Sequence, residues 1–286
     1  MNSARRSRGP TIKPEHRGRP GHLAVVLLLL LVLLPGCGGG TAPEQGRSHK
    51  PAAPGNQSEA HFRFIVCGDP QNNYEVFGKV LEAAKSVDFL IITGDVTGSG
   101  TRTELQNFLD FMRKSGVRYY CVPGNHDVAT SPAEQNYTAY LGQPYQSFDY
   151  QNSHFLLIDN STPELGFYAS EREWARKDLE RGRGKGYEHT FAVCHVPPTF
   201  PYQWTYDPSH EAGVRANDEL IPLLASGGVE ELFCGHVHGF KQYRQDRVLV
   251  KITGGAGAPL LGSEDYYHYV LVEINGKNRT QQVIRI

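Results

Sequence analysis

No charge of either sign dominates this chain: 29 Lys and Arg face 30 Asp and Glu, a formal net charge of −1. That balance excludes a broadly basic nucleic-acid binder as the first reading, and no nucleic-acid partner is expected. Cysteine is scarce. Five in 286 residues, with no C-x-x-C, exclude a disulfide-built miniprotein and argue against cysteine-ligated zinc. Cys67, Cys121, Cys194 and Cys234 fall at the ends of apolar runs, where small buried residues are expected. A disulfide between two of them stays open, with no pair preferred. No repeat of solenoid period is present. No apolar run reaches the roughly 20 residues of a membrane-spanning helix. What is present, 39% hydrophobic and 21% charged residues, is globular composition.

Charge is nevertheless unevenly placed. Residues 1–36 hold six basic residues (Arg5, Arg6, Arg8, Lys13, Arg17, Arg19) against Glu15 alone, so the rest is net acidic. A twelve-residue apolar run, Leu23 to Leu34, follows the basic stretch. That is the length of a signal-peptide core rather than a span. Leu34-Pro35-Gly36-Cys37 resembles a bacterial lipobox, with Cys37 the residue to be lipidated. The segment 1–36 is therefore expected to be a lipoprotein signal peptide and the protein to be exported, anchored to the cell envelope through lipid. Gly38 favours the outer membrane if the cell is Gram-negative. Residues 37–60, rich in Gly, Pro and polar residues, read as a flexible tether, and 61–286 as the folded domain.

Within that domain short apolar runs recur and end in polar, Gly-containing turns. Phe62–Cys67, Phe89–Thr93, Val117–Val122, Phe155–Ile158, Thr190–Cys194, Glu231–Cys234, Val248–Ile252, Tyr269–Ile274 and Gln282–Ile286 have strand length and β-branched content. Val76, Val80, Leu81 and Ala84 share a helical face, as do Leu105, Phe108, Leu109 and Met112. Ser170 to Glu173 has the form of a capping box opening a further helix, and Asn217 or Asp218 could cap another. Strands alternating with helices early, and strand-rich sequence late, predict an α/β fold of two packed sheets with flanking helices.

The residues that bear chemistry follow these runs. Gly68-Asp69-Pro70-Gln71, Gly94-Asp95, Gly124-Asn125-His126-Asp127, Cys194-His195 and Gly235-His236-Val237-His238 each come directly after one. Ligands of α/β sheets bind beyond the carboxyl ends of strands, so five loops are expected to meet at one rim. Carboxylate, carboxamide and imidazole suit Zn, Mn or Fe(II). Two Asp, one Asn and three His exceed one tetrahedral site and suit two divalent ions sharing a carboxylate and clamping a phosphoryl group.

This ordered set resembles the calcineurin-like metallophosphoesterase superfamily, whose pattern is D-x-H, GD, GNH[D/E], H, GHxH. The resemblance spans Asp69 to His238 and implies a four-layer α/β/β/α sandwich. It implies hydrolysis of a phosphomonoester or phosphodiester by a metal-bridging hydroxide. Carried over by position, Asp69 and His238 would hold the first ion and Asp95 would bridge. Asn125, His195 and His236 would hold the second. His126 would serve the leaving-group oxygen, oriented by Asp127. The departure is Gln71, where most of the family has His. Its side-chain oxygen is a possible neutral ligand but a poorer one than imidazole, so the first site is expected to be the weaker. The tyrosine of purple acid phosphatases would fall at Gly98, so that variant is not expected.

Each feature also has a plainer reading. An Asp after Gly is usually a turn residue and a lone His usually structural; the ordered set is what lifts these residues above that. His61, His154, His189, His210 and His268 match no motif and are expected to be structural or on the surface. Tyr202, Trp204 and Tyr206 alternate in a Pro-bounded loop after His195. They either stack a base, sugar or lipid glycerol beside the metals or fold onto their own domain. The expected partner is a phosphorylated small molecule, lipid or protein. The alternative to an enzyme is a non-catalytic metal- or phosphate-binding module on the same fold.

Overall fold

The computed structural model describes residues 60–129, 133–162, 167, 169–198 and 219–286. Cys37, the Tyr202, Trp204 and Tyr206 loop, His210, and the Asn217 and Asp218 cap lie outside the described residues. So do the leader and nearly all of the tether. Among the described residues no helix is long and apolar enough to cross a membrane.

Among the described residues, eleven strands fall into two sheets. The first has the order β11 (Asn278–Arg285), β10 (His268–Asn275), β1 (His61–Cys67), β2 (Phe89–Ile92), β3 (Tyr119–Cys121). The second has the order β4 (Gln146–Tyr150), β5 (Ser153–Leu157), β6 (His189–Val193), β7 (Glu231–Cys234), β9 (Val248–Thr253), β8 (Phe240–Gln245). β1, β2 and β3 are mutually parallel, as are β5, β6, β7 and β9. Parallel strands require crossovers, and most of these are helical: α1 (Tyr74–Ala84), α2 (Arg102–Ser115), α4 (Ala169–Lys185) and α5 (Leu220–Gly227). A further helix, α3 (Ala133–Leu141), precedes β4.

Side-chain alternation makes four layers of these elements. Along β1, Phe62, Phe64 and Val66 enter the space between the sheets, where they meet Phe155, Phe191 and Phe233 of the second sheet. Ile65 and Cys67 face the other way, into a cluster with Phe77 and Val80 of α1 and Phe108 and Met112 of α2. On the far side, Leu156, Ala192 and Leu232 pack on Leu179 of α4 and Leu224 of α5. The order is helix, sheet, sheet, helix, as the sequence predicts.

The two strands that sequence reading misses, β4 and β8, are the two edges of the second sheet. Their sequences, QSFDY and FKQYRQ, are polar, as edges must be to resist further pairing. The capping box expected at Ser170 does not form its boundary, because α4 already begins at Ala169. Glu171 turns inward instead, and its Oε1 accepts the backbone N–H of Asp159 at 2.6 Å. At the C-terminal end of α4, Arg181 and Lys185 are exposed and pair with a buried histidine's partners. His154 lies buried between Asp149 (2.7 Å) and Asp178 (2.8 Å), Lys185 reaches Asp149 at 2.7 Å, and Arg181 pairs with Asp178. The four domain cysteines are buried and form no disulfide, with Cys194 Sγ 3.6 Å from Cys234 Sγ.

Glu171 yields a pH prediction. Burial, then the neighbouring Asp159 carboxylate, push its carboxyl from 4.5 up to about 9. Between those values the unfolded chain sheds a proton that the folded chain keeps. Stability therefore falls as pH rises through that window, by at most about 1.4 kcal/mol per pH unit. Glu171→Gln keeps the accepting oxygen and removes the titration. Its melting temperature should exceed wild type by several degrees at pH 8 and match it at pH 4, which thermal scans at the two values check.

Candidate metal centre

Because β1, β2 and β3 run together, and β5, β6, β7 and β9 likewise, each set delivers its following loops to one edge. Asp69 and Gln71 follow β1, Asp95 follows β2, and Asn125 and His126 follow β3. His195 follows β6, and His236 and His238 follow β7. The structure brings these residues together. Asp69, Asp95 and His195 each place a ligand atom within 4.8 Å of the others, and all three are buried. Asn125 Oδ1 lies 2.9 Å from His195 Nε2 and 2.8 Å from His236 Nδ1. His195 Nε2 lies 3.5 Å from Asp95 Oδ1, and His238 Nε2 lies 3.5 Å from Asp69 Oδ1.

Two of the imidazoles are aimed by backbone carbonyls. Nδ1 of His195 donates to Thr93 O and Nδ1 of His238 to Pro259 O, both at 2.8 Å. Each ring therefore turns Nε2 to the centre, the orientation that metal-ligating histidines take from outer partners. The donor set suits a cation. Burial opposes charge on His195, yet the Asp95 and Asp69 carboxylates overcome it and hold the ring above the usual imidazole range. His238 is raised likewise, burial being outweighed by Asp69. Asp95 is pushed up by burial, with His195 pulling it down and Asp69 pushing it up. Lone pairs converge here in a pocket that favours positive charge, which fits a divalent ion.

Glycines before the ligands serve mainly close approach. Gly94 does take a positive φ of 94°, but Gly124 and Gly235 do not. A Cβ on Gly124 would lie 2.1 Å from Asp95 Oδ1, and one on Gly235 would lie 2.5 Å from Asp69 Oδ2. The left-handed backbone falls on ligands themselves: Asp69 (60°), Asp95 (52°) and His236 (68°). Such strain in side-chain-bearing residues persists only where surrounding bonds over-determine it. The prediction is that Gly124→Ala displaces the Asp95 carboxylate and lowers metal affinity at least about 10- to 100-fold. Metal content after buffer exchange checks this, with an unchanged circular-dichroism spectrum separating it from misfolding.

One expected role changes. Asp127 does not orient His126. Its carboxylate is fully buried and accepts from Val96 N (3.2 Å), Thr97 N (2.8 Å), Thr97 Oγ1 (2.7 Å) and Gly124 N (2.9 Å). It clamps the loop after β2 to the loop after β3. Burial, then Asp95, push its carboxyl up to about 7 against those bonds. The ring of His126 is aimed by Gly98, whose carbonyl accepts from Nδ1 at 2.8 Å, while its backbone N–H donates to Asp95 Oδ1 at 2.9 Å. Gln71 lies beside these residues: its Nε2 donates to Asp95 Oδ2 at 3.2 Å and is 3.5 Å from His238 Nε2.

Two supporting elements escape sequence reading. Asn160, after β5, accepts the backbone N–H groups of both His195 and Val196 through Oδ1 at 3.0 Å and so fixes the His195 turn. Its place just after an apolar run was the available signal. The glycine-dense stretch Gly254-Gly255-Ala256-Gly257, after β9, lies behind Asp69: Ala256 N donates to Gly68 O and Ala258 N to Asp69 O. A Cβ on Gly254 would meet Val237 O at 2.4 Å and Asp69 Oδ2 at 2.8 Å.

Fold and site together define an α/β/β/α protein with a buried group of potential metal-ligand residues at its strand ends. The chain belongs to the calcineurin-like phosphoesterase family, whose pattern matches residues 62–240. Among its curated relatives is a probable glycerophosphodiester phosphodiesterase of Arcobacter nitrofigilis. The two are 31% identical over 180 residues, 57% of this chain and 61% of that protein. A 3′,5′-cyclic-nucleotide phosphodiesterase of Nostoc is 23% identical over 183 residues, 63% of this chain and 65% of that protein. The chain thus spans just under two thirds of the length of both. Purple acid phosphatase from yellow lupin seeds shares the fold, with a TM-score of 0.62 at 13% identity, covering 80% of this chain and 52% of that one.

Proposed function

We propose that this protein is a metal-dependent phosphoesterase that hydrolyses phosphate esters, with phosphodiesters the first substrate class. The observation that carries the reading is the convergence of Asp69, Asp95, Asn125, His195, His236 and His238 from separate strand ends, with two imidazoles aimed inward by backbone carbonyls. These six side chains would hold the metal. A divalent ion bound there supplies a Lewis acid for the phosphoryl oxygens and an acidified water as nucleophile.

The chain's own groups supply the rest. Asp69 and Asp95 carry the negative charge that retains the metal. Asn160 and the Thr93 carbonyl hold His195 in register. His126 Nδ1 is committed to Gly98, which leaves Nε2 as the ring atom that protonates or hydrogen-bonds the leaving oxygen. Its backbone N–H donates to Asp95 Oδ1, tying its main chain to a residue that would hold the metal. Two curated relatives named as phosphodiesterases support the diester preference.

The test is a panel of an aryl phosphodiester, an aryl phosphomonoester, a glycerophosphodiester and a cyclic nucleotide, each with Mn²⁺, Zn²⁺, Fe²⁺ or Mg²⁺. Turnover of a diester above the monoester supports the reading. Phosphate binding without turnover of any ester would instead support a non-catalytic binding module. Location is part of the same proposal: the basic stretch, the apolar run and Cys37 support an exported, lipid-anchored enzyme. Cys37→Ser should move the protein from the membrane fraction to the soluble fraction without changing the activity of purified protein.

A further inference from the structure

We infer that Glu171, buried in the first turn of α4, is a positioning residue for the metal centre: through the turn 159–161 it sets the backbone of His195. The inference deepens the phosphoesterase reading and rests on it.

The device lies where two strands part. β5 and β6 pair in parallel as far as Leu157 and Val193, and the Ile158 N–H donates to Val193 O at 2.8 Å. Beyond that point the Asn160 side chain takes over the pairing. Its Oδ1 accepts the backbone N–H groups of His195 and Val196 at 3.0 Å, and its Nδ2 donates to Val196 O at 2.7 Å. All three partners are backbone groups, so the two ends of this amide are fixed by them. A carboxamide so placed imitates a peptide unit of a neighbouring strand.

His195 is thereby held at three points. Its N–H donates to Asn160, its carbonyl accepts the Gly235 N–H at 2.9 Å, and its ring Nδ1 donates to Thr93 O at 2.8 Å. Gly235 and Thr93 directly follow β7 and β2, so the sheets place them. Asn160 is separated from the end of β5 by Ile158 and Asp159, so its place depends on the turn that carries it.

That turn is held from α4. Asp159, Asn160 and Ser161 are all buried, so their backbone groups need protein partners. Asp159 Oδ1 accepts the Ser161 N–H at 2.9 Å and the Ser161 hydroxyl at 2.6 Å, closing the turn around Asn160. The Asp159 N–H donates to Glu171 Oε1 at 2.6 Å. Glu171 is itself buried, and the charge that acts on it, Asp159, is of its own sign. A buried acid beside a like charge opposes folding, so fold stability alone does not account for Glu171. Its placement does: it joins α4 to the residue next to a backbone anchor of His195.

Calorimetric Mn²⁺ titration of the full-length protein, stripped of metal beforehand, tests this together with aryl-phosphodiester turnover. Glu171→Ala removes the acceptor. It should weaken Mn²⁺ binding about 10- to 100-fold, the loss that follows removal of an outer partner of a metal ligand. Glu171→Gln keeps an accepting oxygen at the same reach and should restore both affinity and turnover. At neutral pH it also matches the charge, because burial and Asp159 push the Glu171 carboxyl up to about 9. Leu179→Ala, in the same helix but packed in the apolar core, separates positioning from helix stability. It should lower the melting temperature and leave Mn²⁺ affinity at the wild-type level. Glu171→Asp, which withdraws the carboxyl by a methylene, should also weaken Mn²⁺ binding and decides the matter if Glu171→Ala fails to fold. Wild-type Mn²⁺ affinity in folded Glu171→Ala or Glu171→Asp, an equal loss in Leu179→Ala, or no recovery in Glu171→Gln would overturn the inference. A wild type that neither binds Mn²⁺ nor turns over the diester would instead remove the phosphoesterase reading, a distinct result.

Discussion

Asp95→Asn should lose metal and turnover together. Asp95 is 1% exposed and joins both halves of the centre. Oδ1 accepts the His126 backbone N–H at 2.9 Å and faces His195 Nε2 at 3.5 Å; Oδ2 accepts from Gln71 at 3.2 Å. Asparagine removes the charge and must turn an NH₂ toward at least one of these groups. If the NH₂ replaces Oδ2 it meets the Gln71 donor, and if it replaces Oδ1 it meets the His126 donor. The loss of metal affinity should exceed the roughly 10- to 100-fold that follows loss of an outer-shell partner. Metal analysis after gel filtration, paired with aryl-phosphodiester turnover, checks this. A variant that keeps its metal and its rate would remove Asp95 from the centre.

His126→Ala should slow turnover by about 10²–10⁴-fold while leaving metal content at the wild-type level. Its side chain makes its described bond to Gly98, and only its backbone touches a ligand, through Asp95 Oδ1. Alanine keeps that backbone N–H, so the carboxylate stays in place. The loss should be smallest for leaving groups of low pKa such as nitrophenol, which depart without a proton, and largest for alkoxides. An equal loss for every ester would assign His126 to substrate clamping. Loss of metal would make its ring a ligand.

The central parallel strands and the site were legible in the sequence for one reason. A strand buried on both faces must be continuously apolar, and a site at its end must break that run with a polar residue. Phe89 to Ile92 followed by Asp95, and Glu231 to Cys234 followed by His236, are that transition written out. The edges β4 and β8 carry the opposite signal, because solvation of an edge removes the apolar pattern that marks a strand. The helix α3, with the sequence AEQNYTAYL, offers little apolar periodicity to read.

Within the site, residue type picks out candidate ligands, but hydrogen-bond partners depend on through-space proximity. Nothing in Gly124-Asn125-His126-Asp127 distinguishes an Asp that supports its neighbouring His from one that reaches Val96, Thr97 and Gly124. Likewise the sequence places Gln71 near the centre, but not its amide bond to Asp95, which only the fold brings within 3.2 Å.

The most direct test of the whole account is turnover of an aryl phosphodiester by the purified protein before and after removal of its metal. The account predicts that chelator-treated protein is inactive, that Mn²⁺ restores hydrolysis to wild type, and that Asp95→Asn under the same Mn²⁺ stays inactive. Undiminished hydrolysis by the metal-free protein, or full restoration of Asp95→Asn, would contradict a metal centre built on these strand ends.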